Sequence, residues 1–423
     1  MADAKMVGVR IGRADLGRPF AWLWASYAAS AYGTGLGFGA FAIVAIQVLH
    51  ASPVEVAALS SFGLAIGALL AVPLGPWMEV REKRPVMIAA DVCRFAALVT
   101  IPIAYWLGVL TFPQLLAVSI VAAAAKIVFT AASGSYLKSI LPEDRIVLAT
   151  SRFEAATWSA TIVGPPLGGL AIGLLGPVVT ILLDAVSYLL SALGIVAIRQ
   201  REMPPVRRMT QSNRWSSIAE GWRYILAHRT LRRLFVNTMA VNGLIMATEP
   251  LLAVLMLGHL GFSAWQYGLV FAVPCIGGLI GSRLAPRISL RLGQQSAIRV
   301  FGTLRACWLL GLVFVQPGPA GLAIVMITEL GLIICASIFN PVFAAYRLNT
   351  VDAGRRTRVL AAWSITTSLS TAALTLLWGL LAHFTGPRIA IAVAGILLLC
   401  TPIVLTRTIA QSAPRESVNA NAR

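Results

Sequence analysis

The chain has 423 residues, 58% of them hydrophobic and 12% charged, with a mean hydropathy of +0.81. Soluble domains average roughly 45–50% apolar and 25% charged residues, so a water-soluble fold is excluded and a polytopic membrane protein is implied. The net charge of +18 does not point to nucleic acid, because Lys and Arg fall between apolar segments and not on one face of a domain.

Taken in chain order, a basic lead (Lys5, Arg10, Arg13, Arg18) precedes an apolar run from about Phe20 to Leu49. That run exceeds the roughly 7 to 15 apolar residues of a signal h-region and is read as a first retained helix. Cutting the rest at charged, Pro-rich and Gly-rich breaks gives twelve apolar segments in all, each near the roughly 20 residues that cross a bilayer as a helix. Nearly all Lys and Arg fall in loops on one side of this arrangement, the cytoplasmic side by the positive-inside rule. The expected fold is therefore all-α, with 12 transmembrane helices in two six-helix pseudo-symmetric bundles and both termini cytoplasmic. Its parts are an N-terminus (1–19), a first bundle (20–198), a cytoplasmic linker (199–230), a second bundle (231–406) and a tail (407–423).

The linker starts irregularly at Met203-Pro204-Pro205 and turns amphipathic, with Trp215, Ile218, Trp222 and Ile225 on one helical stripe. Ser217 and Glu220 have capping-box spacing near its start. The halves also echo one another: Arg145-Ile146-Val147-Leu148-Ala149 parallels Arg358-Val359-Leu360-Ala361, and Gly67 parallels Gly277. Internal repeats with a substrate site between halves are typical of secondary transporters.

Catalytic chemistry has no carrier. The five cysteines lie in apolar stretches without a CxxC pair, the four histidines are scattered, and no Walker-type phosphate loop occurs. No enzyme, cofactor or metal site is expected.

Two motifs carry a family resemblance. The loop from Gly75 through Glu79, Lys83 and Arg84 to Asp91 and Arg94 resembles the G-x-x-x-D-R-x-G-R-R signature of the major facilitator superfamily, with Glu79 in the place of the acid and Val80 in that of the first arginine. Gly164, Pro165, Gly168 and Gly169 are similar to the G-P-x-x-G-G core associated with antiporters of that superfamily. Ala90-Asp91, Leu141-Pro142 and the stretch Leu183 to Tyr188 resemble its macrolide and enterobactin exporter branch. Many exporters of that branch carry an acid in the first helix where this chain has Gly33-Thr34-Gly35. The run Gly33, Gly35, Gly37, Gly39 reads as close helix packing.

An ionisable residue inside a membrane helix costs about 2.5–3.5 kcal/mol on insertion scales, which makes each one a functional candidate. Asp91 and Arg94, one turn apart near the cytoplasmic end of the third helix, are expected to form an intrahelical or latch-related pair and are grouped with the gating loop. The resemblance places the first, fourth, seventh and tenth helices around a central cavity, so Lys126, Glu249 and Glu329 are the expected substrate and proton-coupling residues. Glu249 precedes Pro250, which frees a carbonyl beside the carboxylate. Lys126 either neutralises an acidic substrate or pairs with Glu249 or Glu329. The resemblance makes the sixth helix peripheral, so Asp184 is expected in a structural ion pair, as is Arg305, which is expected to pair with Glu329.

The expected function is export of a small amphipathic organic compound (drug, antibiotic or siderophore) by alternating access, with proton antiport, by a monomer in the cell inner (plasma) membrane. The expected partners are a small-molecule substrate, protons and the lipid bilayer. An importer or uniporter of the same superfamily, or a transporter-like lipid flippase or membrane scaffold, are the alternatives.

Overall fold

Proline and glycine punctuate the chain into helices, and a computed structural model describes residues 16–79, 81–198, 214–351 and 355–409. The first half holds α1 (Gly17–Leu36), α2 (Ala40–Ile43), α3 (Pro53–Glu79), α4 (Lys83–Trp106), α5 (Phe112–Ile140), α6 (Glu143–Leu175) and α7 (Pro177–Val196). After α8 (Arg214–Ala227), the second half holds α9 (Arg229–Ala253), α10 (Ala264–Leu292), α11 (Gln294–Cys307), α12 (Pro319–Thr350), α13 (Arg356–Thr385) and α14 (Pro387–Ile409). Among the described residues, eleven helical stretches are long and apolar enough to cross a membrane, and Pro387–Pro402 is a shorter apolar helix.

The starts follow local chemistry. Proline in the first turn opens α5, α7 and α12, where its missing N–H costs nothing. Before α3, the Glu55 carboxylate accepts from the Ser52 backbone N–H at 2.7 Å. Before α10, Ser263 and Gln266 form a full capping box. Gly39, at φ +76°, takes the left-handed turn that separates α1 from α2. The spans containing α2 and α9 both end in a single wide π-helical stretch, Val44–Val48 and Val254–His259.

Apolar packing is asymmetric along the membrane normal. At one end a single core joins both halves, with Ile43, Val56 and Ile181 packed in the same cluster as Leu251, Val254 and Trp378. At the other end, which carries the basic loops, each half has its own core: Phe20, Met87 and Tyr136 in the first, Leu234, Phe339 and Val359 in the second. The halves meet through α3 with α13 and α6 with α10. Both contacts reach backbone distance at the shared-core end. A Cβ on Gly379 would lie 2.4 Å from the Ala57 Cβ, and one on Gly268 would lie 2.4 Å from the Pro165 carbonyl oxygen. The molecule is closed at that end and parted at the basic end.

Helix α8 already includes Arg214, the first described residue after the break, so Ser217 falls inside it and the expected capping box is not its start. Glu220 instead turns to α13, meeting Arg358 at 2.5 Å and Arg355 at 3.8 Å, while the Trp222 indole donates to Thr366 at 2.9 Å. These carboxylate and guanidinium groups are 42–51% exposed, so each ion pair contributes no more than about 1 kcal/mol.

Candidate functional site

A cavity of about 320 Å³ opens at mid-depth between α1, α4, α5, α6, α10 and α12. Its wall is apolar and aromatic (Phe38, Phe129, Phe271) with a band of hydroxyls (Ser30, Thr34, Thr130, Thr157, Thr161), and its ionisable cations are Arg94 and Lys126. Toward the closed end three rings meet. Phe38 stacks on Tyr267 at 6.5 Å and meets Phe271 edge-on at 5.0 Å, and Tyr267 and Phe271 lie 5.1 Å apart. Phe38 also lines a second space of about 210 Å³ beyond the rings, where Glu249, Pro250, Ser60, Ser119 and Tyr267 are found. The aromatic cluster therefore separates two compartments along the axis.

Arg94 forms the expected intrahelical pair with Asp91 and also lines the cavity, a place the gating-loop grouping does not anticipate. It lies eleven residues into α4, about 16 Å along the helix at roughly 1.5 Å per residue. Its guanidinium pairs with Asp91 at 3.6 Å, with side chains 4% and 0% exposed, and lies over the rings of Phe129 (5.4 Å) and Tyr188 (4.8 Å). Asp184, from α7, is within electrostatic reach of both Arg94 and Lys126. Its approach depends on the glycine run of α1: a Cβ on Gly33 would fall 3.0 Å from one Asp184 oxygen, and one on Gly37 would fall 2.9 Å from the other. The expected peripheral position of the sixth span does not hold for this side chain, because missing Cβ atoms let α7 bring a carboxylate up to α1.

Thr34 stands where branch relatives carry an acid. Its hydroxyl lies 2.8 Å from the Ser30 carbonyl oxygen and 2.8 Å from the Tyr188 hydroxyl, a pair in which either oxygen can donate. Tyr188 also hydrogen-bonds the Asp184 carboxylate, so Tyr188→Phe should lower stability by about 1.5–3 kcal/mol, the range for a bond to a charged group, read as a fall in melting temperature of the purified protein. A fall of less than about 1 kcal/mol would show that the hydroxyl serves Thr34 and not the carboxylate.

The other expected sites separate in space. Lys126 is exposed to the first cavity, whereas Glu249 lines the second. Glu249, Glu329 and Tyr267 are in mutual electrostatic reach. The expected pairing of Lys126 with either glutamate across one cavity is not formed, because the aromatic cluster stands between the two compartments. Arg305 does not pair with Glu329 either. Its guanidinium carbon lies 3.7 Å from the centre of the Phe339 ring, and Nη2 donates to Asn237 at 3.4 Å; no carboxylate pairs with it among the described residues. Ring and amide take the place of a counter-ion.

Gly164, Pro165, Gly168 and Gly169 form a three-helix backbone joint. A Cβ on Gly164 would sit 2.5 Å from the Gly35 Cα, one on Gly168 2.3 Å from the Leu36 carbonyl oxygen, and one on Gly169 2.9 Å from the Ala264 carbonyl oxygen. The motif thus holds α6 against α1 on one side and α10 on the other. In the loop after α3, Arg84 donates to the Val196 carbonyl at 2.7 Å and that of Ile195 at 3.2 Å, tying α4 to the end of α7 within the first half. Lys83 donates to the Arg81 carbonyl. Gly75 and Glu79 end α3, and their surroundings, with all of Val80, lie outside the described residues.

Tyr188 and the Phe38, Tyr267 and Phe271 cluster were not singled out from the sequence. Asp184, Ser187 and Tyr188 have the i, i+3, i+4 spacing of one helix face, as do Tyr267 and Phe271 at i, i+4. That spacing signals a shared face but not what it faces.

The sequence profile of the Major Facilitator Superfamily matches residues 23–334. The chain belongs to the major facilitator superfamily. It is therefore a multi-pass membrane transporter and not an enzyme. Curated relatives called "Multidrug efflux pump Tap", from Mycobacterium tuberculosis and Mycobacterium bovis, are 29% identical over 244 residues, 54% of this chain and 57% of theirs. The match thus spans little more than half the length of those relatives. Among solved structures, the nucleoside transporter NupG aligns at a TM-score of 0.74 with 11% identity over 92% of this chain and 99% of that one. A bacterial homologue of the iron transporter ferroportin, in an inward-facing state, aligns at 0.71 with 16% identity over 92% and 98%. A bacterial homologue of the human lysosomal transporter Spinster aligns at 0.70 with 14% identity over 96% and 100%. These likenesses are to the superfamily fold.

Proposed function

We propose that this transporter exports small amphipathic organic compounds from the cell across the inner (plasma) membrane by alternating access, driven by proton antiport. The observation that carries this reading is the apolar, hydroxyl-banded cavity, open toward the basic end and blocked beyond by the Phe38, Tyr267 and Phe271 rings. With the basic end cytoplasmic, a solute enters from the cytoplasm and waits below the aromatic barrier. Separation of the shared core then gives it the outer face. The similarity to efflux pumps over part of the chain and the G-P-x-x-G-G joint support export. A drug, an antibiotic or a siderophore all fit the solute class.

Glu249 and Glu329 are the proposed proton carriers. They are within reach of one another on the far side of the barrier, two like charges there repel, and a proton is the smallest species that relieves the repulsion. In everted vesicles, the wild type should accumulate amphipathic dyes and antibiotics under an acid-inside gradient, and protonophore should abolish this. Glu249→Gln with Glu329→Gln should lower uphill accumulation at least tenfold while leaving solute exchange at equal concentrations. Uphill accumulation by the double variant at the wild-type level would remove both residues from coupling, and no gradient-driven accumulation by the wild type sinks the antiport reading. Uniport is the second reading, favoured by the neutral Thr34 in the first span and by a cavity wall whose charged members are cations.

A further inference from the structure

We infer that the transported solute is an amphipathic organic anion, a ring system bearing a carboxylate or similar acid, whose charge docks at Lys126. The inference deepens the transport reading given above and rests on it for the use made of the cavity.

Three observations converge. First, among the residues lining the cavity the charged ones are Arg94 and Lys126; no Asp or Glu lines it. The two carboxylates of this region lie behind the wall, Asp91 at 0% and Asp184 at 6% exposure. Second, the two cations are not equivalent. Arg94 is held by Asp91 and covered by the Phe129 and Tyr188 rings, so its charge is matched where it lies. Lys126 is exposed and makes no ion pair among the described residues. An ammonium at this depth is costly unless an anion accompanies it, and Asp184 acts on it only at a distance. Third, the remaining wall suits the rest of such a molecule. Phe38, Phe129 and Phe271 offer ring faces and edges, and Thr34 and Thr130 offer hydroxyls for substituents. A volume of about 320 Å³ lies at the small end of ligand pockets, which suits one or two fused rings and not a two-chain lipid.

An ammonium binds a carboxylate of any shape as a point charge, so Lys126 selects for sign while the rings select for size. An exporter of organic anions also gains from the membrane potential, which favours outward movement of negative charge by about 2.3 kcal/mol per 100 mV.

The test is equilibrium dialysis of the full-length protein in neutral detergent with three matched probes: 2-naphthoate, 2-naphthamide and 2-naphthylmethylamine. Wild type should bind the carboxylate at least tenfold more tightly than the amide or the amine. Lys126→Gln should erase that preference and Lys126→Arg should keep most of it, which separates charge from folding. Tighter binding of the amine, equal binding of all three, binding of none, or an unchanged preference in Lys126→Gln each overturns the inference. Displacement of naphthoate by an equal concentration of phosphatidylglycerol overturns it in favour of a lipid. Binding at equilibrium needs no gradient. Absent uphill flux with the charge preference intact therefore fails the transport reading alone, and flux without the preference fails this inference alone.

Discussion

Gly168→Ala should lower the stability of the protein by about 3 kcal/mol or more and abolish transport, whereas Gly173→Ala, five residues along the same helix, should be neutral or slightly stabilising. The added Cβ at 168 would lie 2.3 Å from the Leu36 carbonyl oxygen, 3.0 Å from the Leu36 carbonyl carbon and 3.2 Å from its Cα. All three are backbone atoms, so no rotamer change relieves the contact and α6 must part from α1. Overpacking typically costs 1–3 kcal/mol where side chains can yield, and here none can. At Gly173 nothing lies within 4 Å, and alanine gains up to about 1 kcal/mol of helix propensity over glycine. Thermal unfolding followed by fluorescence-detected size exclusion compares the two. Equal melting temperatures would mean that α1 and α6 are not in backbone contact in the protein as it folds in a membrane.

Asp91→Asn is expected to be nearly as damaging. It leaves the Arg94 guanidinium, 4% exposed, without its nearest counter-ion, and breaking a buried pair from one side costs about 3–5 kcal/mol. Asp184 also lies within reach of Arg94, so the lower part of that range is expected, with Asp91→Asn plus Arg94→Gln losing less than the sum of the single changes. Arg305→Met makes the contrast. With a ring and an amide as its partners, its removal breaks no ion pair and should cost clearly less than Asp91→Asn. Melting temperatures that rank the other way would show that the charge in the second half, and not the pair in the first, holds its bundle together.

The membrane spans were legible because the apolar runs are long and the breaks between them carry Pro, Gly and basic residues, as at Gly176-Pro177 and Gly318-Pro319. The amphipathic linker helix was legible from the spacing of Trp222 and Ile225. Partners across helices were not, since periodicity gives a residue's face and depth but not its neighbour. The Asp91–Arg94 pair is legible from its one-turn spacing, but its place at the cavity is not, because ten or so helical residues already carry Arg94 from the basic loop to the cavity. Asp184 was discounted on the expected position of its helix. Its approach to α1 follows from Gly33 and Gly37, whose packing role was read without saying which side chain fills the space. Arg305 was matched to Glu329 on adjacency alone, although a guanidinium is equally served by the Phe339 face.

The cation over a ring occurs twice. Arg94 over Phe129 and Arg305 over Phe339 stand 211 and 210 positions apart in sequence, the same interval that relates the wide helical turns starting at Val44 and Val254 and the positive-φ glycines Gly176 and Gly386. One register kept across three unrelated devices marks the two halves as copies of one structural repeat. The ring-borne arginine belongs to the repeat itself. The acids around it, Asp91 and Asp184, have no acidic counterpart at Gly302 and Ala394, so the same cation rests on a carboxylate pair in one copy and on a ring and an amide in the other.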